Sequence, residues 1–255
     1  MFYDNFSSDY DRFVSWPGRL AIEMPFLERK LHESGARRVL DAACGTGMHA
    51  IALAQVGFET AGADLSDGMI SRAWENAQTA GLNLPFKTAS FGNLTAAFGP
   101  ESFDALLCLG NSLPHLLTAE LLSQSLTDFA HCLKPEGLVI IQNRNFDAVM
   151  AARQRWMEPQ AACEGQVEWL FQRFYDFEVD GSLTFNIITL RRENGGDWKQ
   201  SIQSTSLRPL LAVELRDAFQ SAGFEAVTLF GGLTGSAFDP SASGNLVITA
   251  FRSRM

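Results

Sequence analysis

An α/β fold built on a doubly wound, mostly parallel sheet is predicted by three features of the sequence. Between residues 38 and 144, short β-branched and apolar runs alternate with longer helical patterns. Each run closes on Gly, Asp, Ser or Pro, the residues that end strands and helices. After about residue 150 the period shortens to alternation, which marks an antiparallel insert of three strands. A chain of 255 residues suits one large domain carrying such an insertion.

The first strand is read at 38–42, followed by a glycine turn and a short Ala- and Leu-rich helix over 49–56 that Gly57 stops. A second strand covers 59–64, and Ser66 is placed to cap a helix that runs to about Ala80 before Gly81. The third strand falls around 84–89 and the fourth at 103–109. Thr118 can cap a helix whose Leu121, Leu122, Leu126, Phe129 and Leu133 share one face. Pro135 and Gly137 close it, because proline cannot continue a helix and glycine tolerates the turn. Strand five is 138–142. Residues 167–176, 183–190 and 198–207 read as three antiparallel strands joined by turns at 179–182 and 193–197. A helix over 213–222, stopped by Gly223, and strands at 226–230 and 245–251 complete the chain, bringing the main sheet to seven strands. The expected organisation is an α/β domain from 1–150 and 208–255, with the insert at 151–207.

Composition excludes several classes of function. A formal net charge of −9 argues against nucleic acid, since affinity for a polyanion comes from basic side chains that displace counterions. No apolar run is long enough to span a bilayer, so no membrane partner is expected. The first residues lack the basic and apolar regions of a signal peptide. Cys44, Cys108, Cys132 and Cys163 form no C-x-x-C pair, so neither a metal site nor a disulfide framework is indicated, and a cytoplasmic protein with reduced thiols is the simplest expectation.

The segment Val39-Leu40-Asp41-Ala42-Ala43-Cys44-Gly45-Thr46-Gly47 puts two glycines between a strand and a helix, where a ligand can approach the backbone and oriented N–H groups. Asp64 ends the next strand, 17 residues after Gly47, where a carboxylate can accept hydrogen bonds from two ribose hydroxyls. Gly45, Gly47 and Ala50 also satisfy the dinucleotide pattern, so glycines alone leave a dehydrogenase open. Asp41 weighs against it: a carboxylate there repels a pyrophosphate and suits a ligand carrying ammonium and sulfonium charge.

The segments VLDAACGTG, GADLSDGMI, FDALLCLGNSLPHLL and LKPEGLVIIQNRNFD, in that order, resemble the successive motifs of class I S-adenosylmethionine-dependent methyltransferases, over about residues 10 to 150. The last two resemble the glycine and sarcosine N-methyltransferase group in particular. The resemblance implies a Rossmann-like, seven-stranded methyltransferase sheet with S-adenosyl-L-methionine as cofactor. It implies that Asp41, Ala43 and Gly45, with Gly47 in the same loop, hold the methionine end, and that Asp64 and Leu65 hold the ribose and adenine. Arg19, 20 residues before Val39, would reach the cofactor carboxylate with Tyr10 assisting, and Leu109 and His115 would flank the cofactor. The sequence departs from the family after strand three, where Ser90 and Phe91 stand in place of the Asp or Asn that commonly meets the adenine amine. A second departure lies just before Pro209, where Leu207 and Arg208 replace tyrosines of the glycine-methylating enzymes.

Methyl transfer from a sulfonium is an in-line displacement in which alignment supplies much of the rate. The crevice of an open α/β sheet lies beyond the carboxyl ends of its strands, which places Asn111 and Ser112 after strand four and Arg144 after strand five near the transferring methyl. Arg144 is then the natural clamp for a carboxylate on the acceptor, with Asn111 beside it. The competing reading makes Arg144 a loop cation paired with Asp147. The insert would cover the crevice as a lid. The expected partner is a small-molecule methyl acceptor, most simply the nitrogen of a carboxylated amine; a carboxyl or hydroxyl O-methyltransferase, a non-catalytic cofactor-binding regulatory protein and a homo-oligomer all stay open.

Overall fold

The computed structural model describes residues 9–254; residues 1–8, the expected start of the α/β domain, and Met255 lie outside the described residues. In chain order the strands of the first half are β1 (Arg38–Ala42), β2 (Glu59–Asp64), β3 (Phe86–Thr88), β4 (Phe103–Cys108) and β5 (Leu133–Arg144). The insert supplies β6 (Gln160–Glu164), β7 (Val167–Phe177), β8 (Leu183–Glu193) and β9 (Lys199–Leu207), and β10 (Phe224–Phe230) and β11 (Asn245–Arg252) end the chain. The helices are α1 (Trp16–Glu33), α2 (Met48–Gln55), α3 (Asp67–Thr79), α4 (Leu94–Phe98), α5 (Ala119–Cys132), α6 (Phe146–Ala152) and α7 (Ala212–Ser221), and residues 9–13 are also helical.

The main sheet runs β3-β2-β1-β4-β5-β11-β10, with β11 antiparallel to both of its neighbours and the pairs from β3 to β5 parallel. Because helices cover both faces, β1 is buried from Val39 to Ala42 and β5 from Leu138 to Asn143. One face packs on α5 and α7 through Leu126, Phe129, Leu215 and Phe219; the other packs on α1 through Phe26, Leu27 and Leu31. The chain winds outward in opposite directions from β1 and β4, so their carboxyl ends open the crevice between them. The expected caps are present: Ser66 Oγ accepts from the Met69 N–H at 3.1 Å, and Thr118 Oγ1 from the Leu121 N–H at 3.2 Å.

The insert has four strands, not three, in the order β6-β7-β8-β9. β6 is a short edge strand of sequence QAACE, whose alanines and single cysteine carry no alternation to reveal it. Its place is set by pairing, Gln160 opposite Phe171 through Glu164 opposite Val167. The insert is packed against the main domain at two points. Tyr175, Leu183 and Leu207 bury Phe146 and Val149 of α6, while Trp169, Phe171 and Ile187 pack on Tyr10 and Phe13 of the helical residues 9–13. A cavity is left between these two contacts, over the carboxyl ends of β4 and β5.

Candidate functional site

The loop after β1 depends on left-handed backbone at Ala43 (φ 59°), Gly45 (φ 54°) and Gly47 (φ 79°). Its two glycines serve different ends. A Cβ at Gly45 would meet only Tyr10 Cε1, at 3.7 Å, so its surface is open to a ligand, whereas one at Gly47 would strike Phe86 and Ala73 at 2.8 and 2.9 Å. Gly47 is therefore required by helix-sheet packing and not, as its spacing suggests, by ligand approach alone. Asp64 organises the loop: its two carboxylate oxygens accept the Gly45 and Ser66 N–H groups, each at 2.9 Å. Asp11, which carries no sequence signal, accepts from Trp16 Nε1, Thr46 Oγ1, Arg72 Nε and Asn76 Nδ2, and so fixes residues 9–13 over the loop.

Asp41 stands near the end of β1 with 2% exposure, and its Oδ2 makes no hydrogen bond among the described residues. Burial and the nearby Asp64 push its carboxyl up to about 8, against the pull of Arg19. Arg19 is not a loose surface cation. Its Nε donates to Glu23 at 3.0 Å, and a terminal nitrogen donates to Gln142 Oε1 at 3.4 Å. His49, for which the sequence offers no carboxylate companion, sits 2.7 Å from Glu23 Oε2 in the same buried cluster. Burial raises Glu23, but the His49 hydrogen bond and the Arg19 charge outweigh it and hold the carboxylate below its usual range. Burial also lowers His49, so the pair is a neutral imidazole donating to an ionised glutamate.

The cavity encloses about 460 Å³. Tyr10, Arg19, Asn111, His115 and Arg144 of the expected site residues line it, together with Gln142, Asn143 and, from the insert, Arg173, Tyr175 and Phe185. Gln142 lies two residues before Arg144 on one strand, a period-2 spacing that puts both on one face and could have found it. Asn111 has φ 71° and accepts the Arg144 N–H through Oδ1 at 2.8 Å, so it positions the backbone that carries the arginine. Asp147 does not pair with Arg144: its Oδ2 accepts the Ala212 N–H at the start of α7, at 3.0 Å. Among the described residues no carboxylate reaches the Arg144 guanidinium, and its buried Nε makes no hydrogen bond. Burial drives His115 down to about 4, leaving a neutral ring on the wall.

Leu65, Ser90, Phe91 and Leu109 do not line this cavity. Leu65 is exposed, Ser90 Oγ accepts from Asn93 Nδ2 at 2.8 Å, and Phe91 packs edge-on to Phe129 with centroids 5.3 Å apart. Leu109 is buried against the α1 face.

Residues 39–137 match the family described as a methyltransferase domain. The chain is 31% identical over 230 residues to the glycine/sarcosine N-methyltransferase of Aphanothece halophytica, a match that spans 90% of this chain and 82% of that one. The chain belongs to the class I S-adenosylmethionine-dependent methyltransferases. A second glycine/sarcosine N-methyltransferase, from Parasynechococcus marenigrum, is 37% identical over 149 residues, 58% of this methyltransferase but only about half, 52%, of the relative. An S-adenosylmethionine-bound amino pentose methyltransferase from Micromonospora echinaspora shares the fold, with a TM-score of 0.72 at 18% identity over 98% of this chain and 97% of that one. The residues of this methyltransferase suit its cofactor. The buried, unpartnered Asp41 Oδ2 is an acceptor for a cationic group, and the open face of Gly45 leaves room for one to come close.

Proposed function

We propose that this methyltransferase transfers the methyl group to the nitrogen of a small carboxylated amine, glycine-like in its chemistry. The observation that carries the reading is Arg144, a guanidinium on the cavity wall with no carboxylate partner among the described residues and its backbone held by Asn111. The N-methyltransferase relatives support it.

When bound, S-adenosylmethionine supplies a methyl carbon made electrophilic by the sulfonium. Asp41, Ala43 and Gly45 hold its methionine end, with Gly47 shaping the loop, and Arg19 and Tyr10 take its carboxylate. Asp64 and Leu65 hold the ribose and adenine, Ser90 and Phe91 border the adenine, and Leu109 and His115 flank the cofactor from the end of β4. Arg144 fixes the acceptor carboxylate through its two-pronged donor set and so points the amine lone pair along the line of displacement. The insert, packed on residues 9–13 and on α6, acts as the lid that excludes water from the cavity.

The test is the kinetics of Arg144→Lys and Arg144→Ala with a carboxylated amine. Lysine keeps the charge but loses the planar fork, and a misplacement of about 1 Å costs on the order of a hundredfold in rate. Both variants should lose at least that much in kcat/KM while keeping affinity for S-adenosylhomocysteine. Unchanged kinetics in both would remove Arg144 from the acceptor site and the reading with it.

A further inference from the structure

Resting on the reading of Arg144 as the carboxylate clamp, we infer that the preferred acceptor is an amine bearing two acidic groups, the second held by Arg173 of the insert. Arg173 lies on β7 and lines the same cavity as Arg144, so two guanidinium groups from two different sheets converge on one volume. Each has a buried Nε that makes no hydrogen bond, and among the described residues neither guanidinium has an ion-pair partner. Elsewhere in the insert Arg155 pairs with Asp176, Arg191 with Glu193 and Arg192 with Glu168, while Arg153 is exposed; among the described residues Arg173 is the insert arginine that is mostly buried without a carboxylate partner.

The acidic side chains of the cavity do not compensate these charges. Glu23 is engaged by Arg19 and His49, and Glu158 is exposed and forms no ion pair among the described residues. Burial, together with the charge of Arg144, pulls the Arg173 guanidinium below its usual range, against the opposite influence of Tyr175 and Tyr10. Tyr175 is itself pushed up to about 12, mainly by burial, so at neutral pH it contributes a phenol and no negative charge. The Arg173 guanidinium carbon lies over the Phe13 ring, 4.7 Å from its centroid, a contact that holds the group without neutralising it.

With the cofactor's sulfonium beside it, the cavity would hold three uncompensated positive charges. An acceptor with one carboxylate leaves two of them, in a site from which water is displaced; a neutral amine with two acidic groups leaves one. Asn143, 1% exposed and with neither side-chain amide atom hydrogen-bonded among the described residues, adds further donor and acceptor capacity on the same wall.

The test is calorimetric binding of matched amines to the full chain saturated with S-adenosylhomocysteine. Iminodiacetate and sarcosine are secondary amines that differ by one carboxylate, and L-aspartate and L-alanine differ in the same way. The diacids should bind about 10- to 100-fold more tightly, the range of one charge-assisted contact in a desolvated site. Arg173→Gln should collapse that ratio towards one, and Arg173→Lys should restore part of it; retained affinity for S-adenosylhomocysteine shows that each variant is folded. Equal affinity for diacids and monoacids, or equal weakening of both by Arg173→Gln, overturns the second acidic group and leaves the carboxylated-amine reading standing. Binding of neither series overturns both.

Discussion

At the scale of single residues, Asp41 links pH to cofactor affinity. Its carboxyl, raised to about 8 chiefly by burial and then by Asp64, is protonated at neutral pH until a cation arrives. A cationic ligand favours the ionised form, so binding must drive off that proton, and the cost falls as pH rises towards 8. Affinity for S-adenosylhomocysteine should therefore increase from pH 6 to pH 8 and then level, with proton release visible in buffers of different ionisation enthalpy. Asp41→Asn should bind more weakly and show little of this slope; a wild-type affinity flat across the range would remove Asp41 from the cofactor's cationic end. Asp64→Ala should weaken cofactor binding by about 2 to 4 kcal/mol, the scale of losing charge-assisted hydrogen bonds to two buried hydroxyls. Equilibrium binding checks this, and wild-type affinity would place the ribose elsewhere. Asp41, Asp64, Asn111 and Arg144 were legible because each stands at or just beyond the carboxyl end of a strand, where an α/β sheet gathers its ligands. Glu23 and Arg173 were not, because their meaning comes from segments far along the chain: Glu23 meets Gln142 Nε2 across 119 positions, and Arg173 reaches the cavity from β7.

At the scale of elements, α6 shows how a loop became a helix without periodicity to announce it. Asn145 caps it, accepting the Ala148 N–H at 3.3 Å, and its Nδ2 donates to the carbonyls of Asp239, Pro240 and Ser243. With 1% exposure no water replaces these bonds. Asn145→Ala should thus cost about 1 to 3 kcal/mol of stability, the scale for orphaning buried polar groups and removing a cap. Denaturant unfolding measures it, and a loss within about 0.5 kcal/mol, the range of an ordinary surface change, would show that the 239–243 loop stands without this tie. Elements with strong local signals, such as α3 and α5 with their Ser66 and Thr118 caps, began where the sequence put them, although α5 ends at Cys132 and Leu133, expected on its face, already opens β5. The weak ones, α4, α6 and the edge strand β6, are too short for a period and owe their form to pairing and capping across the fold.

At the scale of the whole molecule, an acidic chain of net charge −9 concentrates uncompensated positive charge in one cavity, between Arg144 of the sheet and Arg173 of the insert. The α/β class and the antiparallel insert were legible from alternating periods. What they could not reveal was that the insert closes over the end of β5 by packing on residues 9–13 and on α6, since those contacts join segments with no shared pattern. The central claim is N-methylation of a carboxylated amine. It is tested most directly by incubating the protein with S-adenosylmethionine labelled with carbon-13 in the methyl group and a set containing glycine, sarcosine, L-aspartate and iminodiacetate, then reading the product by carbon-proton NMR. The expected result is a labelled methyl on nitrogen, lost in Arg144→Ala. A labelled methyl ester, or transfer only to acceptors that carry no acidic group, would contradict the account.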